Sequence, residues 1–137
     1  MSTLATLARV ARRDAEDIER RLAASEARLR LVRARLAAHD RAVANESALA
    51  RQSLEGSFTF GAYAQHALEQ RRLIVAEEQA LALETEALRD TLRDAFIELK
   101  KIEILIEQGA ARDAAEENRL DQIAMDDIAA NMMRQKS

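Results

Sequence analysis

The chain has 137 residues with no Cys, no Pro, no Trp and three Gly, and its formal net charge is −3. The missing Cys excludes a disulfide framework and thiolate metal sites, and one Tyr with three Phe supplies too few rings for an ordinary globular core. An apolar share made mostly of Ala and Leu, beside 33% charged residues, is the composition of long helices and coiled coils within one domain, residues 1–137.

The first element is a helix over about residues 2–54. Ile18, Leu22, Ser25, Leu29, Val32, Leu36, His39 and Val43 alternate steps of four and three. That average of about 3.5 keeps one seam against a partner helix. Leu4, Leu7, Ala11 and Ala15 continue the row upstream with one extra step of four, a local unwinding of the supercoil.

A turn over 55–58 follows. Gly56 is placed as the left-handed residue that closes the first helix, and Ser57 or Thr59 as the cap of the next. A short turn between long helices makes them antiparallel neighbours.

The second helix is expected over about 59–133. Leu81, Thr85, Leu88, Leu92, Ala95, Leu99, Ile102 and Ile106 form its seam, extended upstream by Ile74 and Ala67. Phe96, beside Ala95, is expected to pack on the first helix near Arg20 and Leu22. Gly109 is read as a soft spot in a continuous helix. The fold class is therefore all-α, a long antiparallel two-helix coiled-coil hairpin with a C-terminal helical overhang.

Charge supports this pairing. Residues 1–54 carry a net +4 and residues 55–137 a net −7. With the turn centred near residue 57, residue i faces roughly 114 − i, and Arg28, Arg30, Arg33 and Arg35 come opposite Glu77, Glu78, Glu84 and Glu86. Exposed pairs contribute only a few tenths of a kcal/mol each, so they select the alignment while seam burial supplies the stability. Beyond about Asp113 the second helix has no intramolecular partner, yet Leu120, Ile123, Ala124, Ile128 and Met132 keep helical spacing. An unpaired apolar stripe implies a partner.

No residue pattern points to catalysis. His39 and His66 lie in no metal-ligand spacing, the glycines form no phosphate loop, and no Ser or Lys stands in a nucleophile setting. The chain is read as not an enzyme and without a cofactor. The Arg28–Arg35 run lacks interleaved aromatics and meets its own Glu cluster, so nucleic acid is not an expected partner. No stretch reaches the roughly 20 apolar residues of a membrane span, and no signal peptide opens the chain, so a cytoplasmic location without membrane insertion is expected. Phe58, Phe60 and Tyr63 gather at the turn, where rings can plug the end of the coil or anchor a partner.

Ala95–Glu107, followed by Glu116, Glu117 and Met125-Asp126-Asp127-Ile128-Ala129, resembles the C-terminal half of the flagellar export protein FliJ family. The length, the Ala/Arg/Glu bias and the glycine-containing turn before an aromatic are also similar to that family. The resemblance implies a stalk-like coupler of the type III export apparatus, monomeric alone and peripherally associated with the inner membrane. It implies that the paired helix termini enter a hexameric export ATPase, that the hairpin end meets the membrane export gate protein, and that export chaperones associate. Within that picture, geometry assigns Leu4, Leu7, Leu120, Ile123, Ile128 and Met132 to the ATPase-ring end. Phe58, Phe60 and Tyr63 fall at the gate end. The alternatives are a coiled-coil chaperone or scaffold that dimerises through its overhang, and the equivalent stalk of a virulence type III secretion system.

Overall fold

The computed structural model describes residues 3–136. Two helices make up the fold: α1, Thr3–Ala50, and α2, Leu54–Lys136. They pack against each other as a two-helix hairpin, with no strand among the described residues. The expected start of α1 at residue 2 lies outside those residues. The chain divides into two compact units. One is Ala15–Asp94; the other joins the start of the chain, up to Asp14, to the segment from Ala95 onward.

The turn lies earlier than the sequence suggests, at residues 51–53 and not 55–58. The reason is a serine. Ser53 Oγ accepts the Gly56 N–H at 2.9 Å, which makes Ser53 the N-cap of α2. Ser57, expected as that cap, instead donates its hydroxyl to the Ala50 carbonyl at 3.0 Å. This satisfies one of the carbonyls left open where α1 ends. The Thr59 hydroxyl turns back onto the Gly56 carbonyl at 3.1 Å.

Gly56 is not left-handed; no glycine in the chain has positive φ among the described residues. What it provides is room, because a Cβ there would sit 2.8 Å from Ser53 Oγ and 3.2 Å from Ala50 Cα. Gly56→Ala is therefore expected to destabilise the protein by about 1 kcal/mol through the disturbed cap, although Ala is the better helix former. Thermal melts followed by circular dichroism check this, and a neutral or stabilising result would show that the close approach is unimportant.

Within Ala15–Asp94, Ser25 and Thr85 are fully buried in the seam with their hydroxyl oxygens 2.7 Å apart. Thr85 Oγ1 donates to the Leu81 carbonyl at 2.7 Å, so Ser25 is the donor between the two. Their pairing sets the register: residue i faces 110 − i, four residues, about one helical turn, from the expected 114 − i. Leu29, Val32 and Leu88 are buried around them. His39 keeps its expected seam place and donates Nε2–H to the Ala67 carbonyl at 2.9 Å.

In the other unit the seam of α1 runs through Leu4, Ala8 and Ala11. Ala8 is buried at 7% exposure, whereas Leu7, expected on the seam, is 48% exposed. Substituting Ala8 for Leu7 in the row restores the alternation of four and three, and the expected extra step of four disappears. Leu99, Ile102, Ile106 and Gly109 are half-buried on α2. Phe96, expected to pack inward, is 44% exposed.

From Ala110 to Lys136 every residue is exposed. The next seam positions after Gly109 are Asp113 and Glu116, and carboxylates cannot extend an apolar seam. Burial along α2 ends at Gly109, near the level at which α1 begins at Thr3. The helix itself continues through Gly109, where an added Cβ would meet nothing within 4 Å. That glycine therefore serves no close approach.

Candidate interaction sites

Among the described residues, the sites to consider are surfaces. In the unit Ala15–Asp94 the expected Arg–Glu match is partly made. Arg33 pairs with Glu78 at 3.2 Å and Arg35 with Glu77 at 2.5 Å. Arg28 and Arg30 form no ion pair among the described residues, and Glu86 is held by Arg89 at 3.1 Å within α2.

At the turn, the three aromatics take three different roles. Phe60 lies half-buried on the seam. Tyr63 stacks beside it, ring centroids 5.9 Å apart and tilted by 36°. Phe58 is 80% exposed. An open cavity of about 250 Å³ is bounded by Glu46, Leu49, Ala50, Gly56, Thr59, Phe60 and Tyr63.

Leu49 and Leu54 are exposed beside Phe58 and enlarge this apolar end. Sequence reading missed both; the signal was two Leu off the heptad row, one on each side of Ser53. Two further hollows, about 500 and 440 Å³, follow the same flank of the coil, lined among others by Ala38 and Leu73 and by Leu31 and Ala80. Leu31 and Leu73 are exposed there.

The opposite flank carries an ion pair beside a smaller hollow of about 190 Å³ lined by Leu68, Val75 and Ala76 among others. Arg71 grips Asp40 through Nε at 2.9 Å and through its other nitrogen at 3.4 Å. The hydrogen bond from Arg71 holds the Asp40 carboxyl below its usual range; desolvation opposes this, and the charge of Arg71 adds to it. A depressed folded value means the stabilisation is present above the ordinary carboxylate range and is lost as pH falls through the folded value, below about pH 4. Asp40→Asn is expected to flatten that acid limb of the melting-temperature profile by slightly lowering the neutral plateau, with the two proteins converging at the acid end. An unchanged limb would show that the pair is screened away.

At the open end, Leu4 is half-buried, and Leu7, Leu120, Ile123, Ile128 and Met132 are exposed. Met125 and Met133 are exposed beside them. Within this tail, Arg119 holds Glu116 through two hydrogen bonds of 3.0 and 2.5 Å, which lowers the Glu116 carboxyl below its usual range.

Among the described residues no helix is long and apolar enough to cross a membrane, and no group of three or more His, Cys, Asp or Glu is placed to hold a metal.

The family model described as Flagellar FliJ protein matches residues 1–137, the whole chain. The chain belongs to the FliJ family. No curated protein and no solved structure matches it. FliJ membership makes it a component of the flagellar export apparatus, in a family that is structural and not enzymatic.

Proposed function

We propose that this FliJ-family chain is a stalk-like coupler between the export ATPase ring and the membrane export gate, with a further association with export chaperones. The observation that carries the reading is the exposed tail. An 83-residue α2 against a 48-residue α1 leaves residues 110–136 wholly exposed and still apolar on part of their surface. A helix that buries nothing while exposing Leu120, Ile123, Ile128 and Met132 is a surface that another protein completes.

The end with Leu4, Leu7 and the tail is assigned to the ATPase. The turn end, with Phe58, Phe60 and Tyr63 extended by Leu49 and Leu54, is assigned to the gate protein. Exposed aromatic and Leu side chains beside a small hollow suit an anchor-in-groove contact. The chain works as a monomer and reaches the inner membrane through its partners.

The test is affinity capture from membrane and cytosolic fractions with the full chain tagged at a solvent-facing position, followed by ATPase assays with the purified export ATPase. Recovery of the ATPase and a raised turnover support the coupler. A stable dimer in sedimentation, with no effect on ATPase turnover, would instead favour a dimerising scaffold.

A further inference from the structure

The coiled coil of the open-end unit has two unlike flanks. On one, Arg12 and Glu103 bridge the helices at 3.5 Å, the arrangement usual beside a coiled-coil seam. On the other, the seam rows through Ala8 and Ile106 and the register of the Arg12–Glu103 bridge bring Leu7 opposite Leu105. Both are about half exposed, at 48% and 46%, and Val10 lies exposed one turn from Leu7. One heptad further along this flank the same register brings Asp14 opposite Glu98. Glu98 has its own Lys101 at 3.3 Å; Asp14 has no ion pair among the described residues. Two carboxylates facing each other destabilise the pairing slightly and are relieved by a cation from outside.

We propose that this flank is the face on which the partner ATPase seats an amphipathic segment, with an apolar anchor over Leu7, Val10 and Leu105 and an Arg or Lys between Asp14 and Glu98. This rests on the coupler reading and adds which side of the coil is used and what chemistry it selects. The anchor and the cation stand one heptad apart on the partner, roughly 10 Å along a helix. The Arg12–Glu103 flank is closed at this level by its own ion pair, and the exposed Phe96 stands one heptad from Glu103 there. The face therefore recognises a basic amphipathic segment and disfavours an acidic one.

The experiment places a photo-reactive phenylalanine at Leu7, at Leu105 or, as the opposite-flank control, at Arg12 of the full chain, and irradiates each with the purified export ATPase. Cross-links from positions 7 and 105 should dominate and map to an ATPase segment with a basic residue about one heptad from the attachment point. Asp14→Lys should weaken ATPase binding by about tenfold with unchanged helicity, and reversing the partner's basic residue to Glu should restore it. Equal cross-linking from Arg12, or binding indifferent to Asp14→Lys, would overturn the face assignment while the ATPase contact still supported the coupler. No cross-link from any position would overturn both.

Discussion

Removal of residues 110–136 is expected to abolish stimulation of the export ATPase while leaving the paired helices as stable as before. None of these residues is buried, so their loss uncovers no core. The seam that holds α1 to α2 ends at Gly109, and the deletion removes only exposed side chains beyond it. Helical signal per molecule should fall in proportion to the residues lost, with the melting midpoint shifted by no more than a degree or two, since about 1 kcal/mol corresponds to roughly 4–8 °C at this size. A large fall in the midpoint would mean that the tail packs onto the hairpin in solution. Retained stimulation would mean that the ring is contacted elsewhere. Charged substitutions at Leu120 and Ile123 in the intact chain separate the loss of the apolar stripe from the loss of length.

The second large effect is expected at the buried hydroxyl pair. Thr85→Val keeps the shape of the side chain but leaves the Ser25 hydroxyl buried without the partner it has at 2.7 Å. The cost should be about 1–3 kcal/mol, the penalty for an unsatisfied buried group. Adding Ser25→Ala should recover much of that loss, because removing both polar partners from a buried site is close to neutral. A double-mutant cycle in urea measures the coupling, and additive losses would show that the hydroxyls do not act as a pair.

The same site tests the register. Ser25→Cys with Thr85→Cys should form a disulfide on oxidation, since the atoms replaced already lie within hydrogen-bonding distance. Val32→Cys with Ala82→Cys, which would face each other only in the register expected from the sequence, should not.

The sequence makes the hairpin plain because both rows repeat at the coiled-coil period over many turns. It misplaces details wherever residue size or residue type competes with period. Leu7 looks like a seam residue because it is large, but the step from Leu4 to Ala11 is completed by Ala8, and the larger side chain is left outside. Gly56 looks like punctuation, yet it sits in the first turn of α2 because the backbone of Ala50 comes within reach of any Cβ. The earlier turn then moves the register by one helical turn.

Of the candidate contacts, the tail stripe was readable, since Leu120, Ile123, Ile128 and Met132 keep helical spacing past the paired row. The exposed Leu49 and Leu54 were not, because their exposure depends on where Ser53 starts α2. Phe96 was misread for a related reason: a ring next to a seam position is turned inward only if the facing helix leaves space, and the register decides that.

The abrupt end of burial at Gly109 gives one uninterrupted helix two very different lifetimes for its backbone hydrogen bonds. An isolated helix of the tail's length is marginal in water, whereas residues such as Leu88 and Leu99 open only with the coil around them. Amide protons beyond Ala110 should therefore exchange with solvent far faster than those along the seam, and a partner that seats the tail would be detected first as a slowing of exchange there. The free energy spent on holding that segment straight would be supplied by the partner, so affinity should be unusually sensitive to helix-favouring substitutions at positions that touch nothing.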